Sequence, residues 1–150
     1  MEILIKDMQD HYKIKQAMTK KKATIILNAL GAPDAELSIV IVDDEKMANL
    51  NRIYLGRSGP TNVIAFRMQE GPFSHINPNL LGDVVISVDT AIREAQEAQI
   101  PVEFRIDQLL IHGILHLFGF DHEKSPEEAE TMSNKEEELL KLLWHSGFTN

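Results

Sequence analysis

Cysteine is absent from this sequence. Its absence excludes a disulfide framework and a thiolate metal site, so a site for a soft metal has to be built from histidine and carboxylate side chains. Long hydrophobic runs are absent as well, because the longest apolar stretch, residues 109–120, is interrupted by His112 and His116 and is too short to cross a bilayer. Residues 1–6 have the pattern of a short strand and lack the basic start and apolar centre of a signal peptide. We therefore expect a water-soluble cytoplasmic protein with no membrane partner.

The charge of the chain is strongly one-sided. Its 150 residues carry a formal net charge of −8, and a chain this acidic is a poor general binder of nucleic acid. Lysines concentrate in residues 6–22 and glutamates in residues 123–138, which we interpret mainly as solvated helix faces of opposite sign. Since 43% of the residues are hydrophobic and no repeat or linker interrupts the chain, we expect one compact domain over residues 1–150.

The hydrophobic pattern predicts an α+β fold, with a single mixed sheet of about four strands and several packed helices. The run ELSIVIV at residues 36–42 is rich in β-branched residues and predicts a strand. The other three strands are expected at residues 2–6, 61–66 and 81–88. Residues 69–79 contain glycine, proline and asparagine, so they are expected to form a loop.

The first half of the chain carries the signals of two helices. A lysine-rich helix is expected over residues 10–30, where Gly31 and the proline beyond it stop the pattern. The second helix is expected to be capped by Asp43 or Asp44. Its apolar stripe consists of Met47, Leu50 and Tyr54.

Three further helices are expected in the second half. Asp89 is predicted to cap a short helix after the fourth strand. Pro101 suits the first turn of a helix that runs to about Phe118 and ends at Gly119. The stretch Ser125-Pro126-Glu127-Glu128 is a capping box with proline at the first helical position, and it predicts a last helix to about residue 145.

The segment from His112 to His122 carries the chemistry. His112 and His116 are four residues apart on a predicted helix, so both imidazoles project from one face and can meet the same ion. Gly119 allows the helix to end in a left-handed residue and turn back, which brings His122 to the open side of that ion. The spacing therefore predicts that these three histidines hold one metal ion, with zinc the best match for imidazole ligands.

Three histidine ligands leave one position open on a tetrahedral ion, which is typical of a catalytic site. The spacing matches the metzincin peptidase motif, so the predicted helix is zincin-like. However, Gly113 stands where those peptidases have their glutamate base, and such a base is worth about 10²–10⁴ in rate. The ligand set thus resembles a zincin, whereas the proton chemistry does not.

The same segment closely resembles the signature of the YbeY family of bacterial endoribonucleases. Two further stretches are similar to that family. They are Leu50-Asn51, Tyr54 and Pro60-Thr61-Asn62-Val63 in the first stretch, and Leu81-Gly82-Asp83-Val84-Val85-Ile86 in the second.

The resemblance implies a zinc-dependent endoribonuclease that acts on single-stranded RNA in 16S ribosomal RNA 3′-end maturation and ribosome quality control. It also implies that His112, His116 and His122 are the zinc ligands. The family usually has an arginine directly after the tyrosine, whereas this chain has Leu55. Arg57 is the nearest candidate to contact a phosphate, and Arg52 is the other.

Asp121, beside the third ligand, is a candidate to orient an imidazole or to accept a proton, although a second-layer or turn role is the simpler interpretation. Asn62 and Asp83 are expected to have local structural roles. The histidines outside the motif, His11, His75 and His145, are expected at the surface.

Two alternative functions remain open at this point. One is a metallohydrolase acting on a peptide or another non-RNA substrate, against which Gly113 argues. The other is a non-catalytic ribosome assembly factor whose metal stabilises the end of the helix. The acidic net charge suits the assembly factor slightly better, and it also suggests that RNA is reached through a ribosomal or other protein partner.

Overall fold

The computed structural model describes residues 2–68 and 79–144. These residues form an α+β fold of four strands and five helices, as the hydrophobic pattern predicts. In chain order the elements are β1 (Glu2–Asp7), α1 (Gln16–Ala29), β2 (Glu36–Val42), α2 (Asp44–Leu55), β3 (Val63–Arg67), β4 (Leu80–Ser87), α3 (Val88–Ala98), α4 (Val102–Leu117) and α5 (Pro126–Leu143).

The strands form one mixed sheet in the order β1-β2-β4-β3. Strands β1, β2 and β4 run parallel, whereas β3 runs antiparallel to β4 at the edge. The inner strands β2 and β4 are rich in valine and isoleucine, as expected for strands covered on both faces.

Different helices cover the two faces of the sheet. The main core joins α1, α4 and α5 to one face, through fully buried side chains such as Ile26, Ile39 and Ile114. A smaller cluster joins Met47 of α2 to Ile64 and other side chains of the opposite face. Alternate residues of each strand point to opposite faces, so one strand can serve both clusters. Among the described residues, no helix combines the length and apolarity that a membrane span requires.

Two of the predicted helix starts are wrong. Helix α1 begins at Gln16 and not near residue 10, because the Gln9 side chain accepts hydrogen bonds from the backbone N–H groups of His11 and Tyr12 and closes a turn. A side chain that accepts hydrogen bonds from nearby backbone N–H groups stabilises a turn, and this turn competes with the first turn of a helix.

Helix α3 is capped by Ser87 and not by Asp89. The Ser87 side chain accepts a hydrogen bond from Thr90 N–H, whereas Asp89 lies in the first turn and accepts hydrogen bonds from Asp44 N–H and the His11 ring. His11 itself is exposed, as predicted.

The other helix predictions differ from the structure in detail. Asp43 caps α2, but Tyr54 of the predicted apolar stripe is 64% exposed and packs against Phe66 in a T-shaped arrangement of the rings. Ser125 caps α5, which ends at Leu143. Residues 69–78 of the predicted loop, including His75, lie outside the described residues, and so does His145.

Candidate metal centre

The last two turns of α4 carry His112 and His116 on one face, as the spacing predicts. Their Nε2 atoms lie 3.1 Å apart and their ring centroids 4.6 Å apart. Two nitrogens bound to one tetrahedral zinc ion at about 2.0–2.1 Å would be separated by about 3.3 Å. The observed separation therefore fits two ligands of a single ion.

The turn after α4 brings the third histidine to the same place. Gly119 adopts a φ of 96°, a left-handed conformation that favours glycine, and its N–H donates to the His116 carbonyl at 3.0 Å. His122 then follows, with ring centroids 5.3 Å from His112 and 5.5 Å from His116. One nitrogen from each of the three rings lies within 4.8 Å of the others, so the donor set fits a metal ion.

A carboxylate from another helix orients the first ligand. Glu136 of α5 places its Oε2 2.9 Å from His112 Nδ1. A proton on Nδ1 can donate to this carboxylate, which would leave the lone pair of Nε2 for a metal ion, the arrangement that metal-binding histidines commonly have. Glu136 is thus an exception among the acidic residues that the sequence assigns to a solvated helix face.

The environment of His116 favours its neutral form. Burial lowers the pKa of this imidazole below its ordinary value, and the neighbouring His112 and His122 lower it further. A metal ligand has to be deprotonated at the nitrogen that binds. At neutral pH the ring is therefore already in the form that binds a cation.

Gly113, where metzincins have glutamate, lies against the sheet. A Cβ atom at this position would be 2.6 Å from Val84 Cγ1 and 3.3 Å from Val63 Cγ2. Glycine therefore lets α4 approach β3 and β4 closely. A glutamate side chain at this position would therefore collide with Val84.

The histidines form one wall of an open pocket of about 570 Å³ between α4, β3 and the turn after α4. The opposite side of this pocket is formed by β3 and the residues that lead into it. Its lining side chains include Arg57, Asn62, Val63, Ala65, Arg67, Asp121 and Glu123.

Comparison with known proteins identifies the family. The family model described as Endoribonuclease YbeY matches residues 4–143. The chain belongs to the YbeY family. A relative named Endoribonuclease YbeY from Geobacter sulfurreducens is 49% identical over 98% of this chain and 99% of its own length. Another of the same name from Syntrophotalea carbinolica is 51% identical over 92% of this chain and 93% of its own length.

A solved structure has the same fold. The solution structure of TM1509 from Thermotoga maritima matches with a TM-score of 0.70 and 24% identity, over 95% of this chain and 89% of that chain. The resemblance noted in the sequence motifs is thus confirmed at the level of family and of fold.

Within this YbeY chain, the two predicted catalytic residues both reach the pocket. Arg57 lies in the exposed loop between α2 and β3, and its N–H donates to the Asn51 carbonyl at 3.2 Å. Asp121 lies beside His122, and its Oδ1 accepts a hydrogen bond from Glu123 N–H at 2.8 Å. The contact of Asp121 is that of a turn residue, while its carboxylate also lines the pocket. The catalytic roles of both residues stay predictions.

Of the remaining candidates, Asn62 also lines the pocket, whereas Arg52 and Asp83 do not. Arg52 is exposed on α2 and does not line the pocket of the histidines. Asn62 precedes β3 and donates to both carboxylate oxygens of Glu94 at 3.2 Å. Asp83 lies on the opposite face of the sheet, in a shallow groove beside α2.

Sequence reasoning missed Arg67 as a residue of the pocket. Its Nε donates to the His116 carbonyl at 2.8 Å, across 49 residues of the sequence. The available signal was its alternation with Val63 and Ala65 along β3, which places all three on the face that looks toward α4.

Proposed function

We propose that this chain is a zinc-dependent endoribonuclease that cleaves single-stranded RNA in the pocket above His112, His116 and His122. The observation that carries the proposal is the convergence of three imidazole nitrogens at the wall of an open pocket that also contains arginine. Membership of the YbeY family supports it.

Different residues of the chain are proposed to bind the metal, pair with phosphate and accept a proton. His112, His116 and His122 would hold the ion, and Glu136 keeps His112 in the correct tautomer. Zinc, when bound, supplies Lewis-acid polarisation of a phosphoryl group. Arg57 is proposed to pair with non-bridging phosphate oxygens, for which the planar guanidinium is well suited. Asp121 is proposed to accept a proton through its carboxylate at the pocket wall.

The proposed substrate is the 3′ region of precursor 16S ribosomal RNA, in a maturation and quality-control role in the cytoplasm. The net charge of −8 opposes capture of RNA by bulk attraction. We therefore propose that a ribosomal or other protein partner presents the RNA, and that residues 1–150 act as one catalytic domain.

Two alternatives keep the same ligands. A peptidase-like hydrolase is disfavoured because Gly113 faces Val84 and leaves no place for the usual glutamate base. A non-catalytic assembly factor would complete the metal with a fourth protein ligand. Among the residues that the structure describes, the group that could hold an ion contains three histidines and no fourth side chain.

The decisive experiment replaces one ligand. His116→Ala is expected to lose bound metal and cleavage of single-stranded RNA together, because two imidazoles bind zinc far more weakly than three. Metal content is measured by elemental analysis of the purified protein, and cleavage is measured with and without a chelator. His11→Ala, which changes a histidine far from the pocket, is the matched control.

The outcome separates the alternatives. Zinc at full stoichiometry in His116→Ala would contradict the ligand assignment. Metal-dependent cleavage of casein without cleavage of RNA would favour the peptidase-like hydrolase, and metal binding without either activity would favour the assembly factor.

The proposed role of Arg57 has its own test. Arg57→Ala is expected to cleave single-stranded RNA more slowly with unchanged metal content, because the side chain is exposed and does not touch the histidines. An unaltered cleavage rate would remove Arg57 from the mechanism. Arg52→Ala, which alters an exposed arginine outside the pocket, serves as its control.

A further inference from the structure

Arg67 joins the end of β3 to the end of the metal-binding helix. Its Nε donates to the His116 carbonyl at 2.8 Å, and the same carbonyl accepts the N–H of Gly119 at 3.0 Å. A Cβ atom on Gly119 would lie 3.7 Å from one terminal nitrogen of Arg67, so the guanidinium packs directly against this turn. A cation at this position also interacts favourably with the carbonyl end of a helix.

We propose that Arg67 is a phosphate-binding residue of the pocket, and that it engages a different phosphate of the RNA from Arg57. This inference rests on the proposed function, since it concerns how the same pocket holds single-stranded RNA. The guanidinium is half-buried and lies in the pocket wall next to the histidines.

The course of β3 separates the two arginines. Arg57 lies in the loop that leads to β3, whereas Arg67 is the last residue of the strand. The four steps from Val63 to Arg67 span about 13 Å at about 3.3 Å per residue. Val63 and Ala65 line the pocket but also pack against the main core. The loop that carries Arg57 enters β3 at Val63, whereas Arg67 ends the strand, so the two guanidiniums are expected to contact different phosphates.

The fixed position of Arg67 makes it suitable for this task. An arginine side chain loses considerable rotamer freedom when it binds a ligand. The bond to the His116 carbonyl fixes much of that freedom in the free protein, so less remains to be lost when a phosphate binds. The pocket also contains Asp121 and Glu123, so a fixed cation is needed to offset their charge toward a polyanion.

The test measures RNA binding by the full-length, metal-loaded protein. The probe is a fluorescent single-stranded RNA whose 2′-hydroxyls are methylated to suppress cleavage, and a gel confirms that it stays intact. Arg67→Gln is expected to raise Kd about tenfold, in the range for one charge-assisted hydrogen bond. The slope of log K against log salt concentration is expected to fall by about 0.7, the value for one phosphate contact on a single strand.

Two further variants separate charge from folding. Arg67→Lys keeps the cation and is expected to keep the salt slope of the wild type, even if the turn loses one hydrogen bond. Arg93→Gln removes an arginine that pairs with Asp44 away from the pocket, and its RNA binding is expected to be unchanged. Circular dichroism confirms that each variant is folded.

The results distinguish this inference from the proposed function. An unchanged Kd and salt slope in Arg67→Gln would overturn the inference. Arg67 would then have only a structural role at the end of α4. Arg67-dependent binding by a protein that never cleaves unmodified RNA would support the inference and contradict the proposed function. No binding of single-stranded RNA by the wild type at low salt concentration would overturn the inference about Arg67, whereas cleavage of unmodified RNA by the same protein would still support the proposed function.

Discussion

The two ends of helix α4 carry ionisable side chains in opposite situations. Near its start, Asp107 is 4% exposed, lies 2.7 Å from Lys22 Nζ and accepts the Trp144 indole N–H at 2.6 Å. Near its end, His112 and His116 are half-buried and line an open pocket. The same helix thus has one closed polar cluster and one accessible polar site.

The two ends differ in the partners of their polar side chains. At the closed end, the partners of Asp107 come from α1 and from the residue after α5, and both are themselves buried. At the open end, Glu136 and Arg67 contact the back of the site, one at a ring nitrogen and one at a backbone carbonyl. The remaining ring nitrogens lie close enough together for one ion to bind all three histidines.

Removing the Asp107 carboxylate from the closed polar cluster should have the largest effect on stability. Asp107→Ala is expected to lower the free energy of unfolding by about 3–5 kcal/mol, because it leaves Lys22 charged and buried without its carboxylate. Urea denaturation measures the loss. The double change Lys22→Met with Asp107→Leu is expected to be much less destabilising, since it removes both charges. If the double change costs as much as Asp107→Ala, the unpaired charge is not the cause.

Removing the Glu136 carboxylate from the open end should weaken metal binding and have little effect on the stability of the fold. Glu136→Gln is expected to weaken zinc binding by about 10–100-fold, because the carboxylate that orients His112 is lost. Competition with a chromogenic chelator measures the affinity. Glu137→Gln alters the next side chain of α5, which does not touch the histidines, and provides the matched control. Equal zinc affinities in the two variants would show that Glu136 does not support the site.

The contact of α4 with the sheet at Gly113 should show a smaller effect. Gly113→Ala places a methyl group 2.6 Å from Val84 Cγ1, and such overpacking costs about 1–3 kcal/mol. Replacing a helical glycine by alanine recovers about 1 kcal/mol, so the net destabilisation should be about 1 kcal/mol. In a double-mutant cycle with Val84→Ala, the two changes together should cost less than the sum of the single changes. Additive effects would mean that the two side chains do not collide.

The smallest effect is a pH dependence at the closed end. Burial raises the pKa of Asp107 above its ordinary value of 3.8, and this outweighs the opposing contacts with Lys22 and Trp144. The folded state therefore holds this proton more tightly than the unfolded state. The contribution of Asp107 is fully present below about pH 4 and declines as the pH rises through the folded pKa.

Asp107→Asn gives a direct measurement of this dependence. The advantage of the wild type over Asp107→Asn in free energy of unfolding should shrink as the pH is raised from about 3.5 to 7, because the asparagine does not ionise. An advantage that grows over this range would show that ion pairing with Lys22 outweighs burial.

Most of the fold could be predicted because its signals are local. The β-branched run of β2 and the capping box of α5 lie within a few residues, and they give the observed bounds of β2 and the observed start of α5. The wrong cap of α3 arose because a partner distant in the sequence determines the contacts of Asp89. Asp89 resembles a helix cap in the sequence. However, its carboxylate accepts a hydrogen bond from the backbone N–H of Asp44, 45 residues away, and Ser87 is the N-cap residue instead.

The candidate site divides in the same way. The three ligands could be predicted because their geometry depends on one helical spacing and one glycine turn. Glu136 and Arg67 could not, since their partners lie 24 and 49 residues away and meet them only after the helices and sheet have packed. The packing role of Gly113 was hidden for the same reason, because Val84 belongs to another element.

The left-handed turn at Gly119 has a consequence for the order of assembly. It places all three ligands within eleven consecutive residues, 112–122, so the loop closed by an ion is short and its entropic cost is small. If the proposed zinc site exists, a nascent or unfolded chain would therefore retain part of its affinity for the ion. Since binding to the unfolded chain reduces the stabilisation that a ligand gives, zinc should raise the melting temperature less than its affinity for the native protein implies.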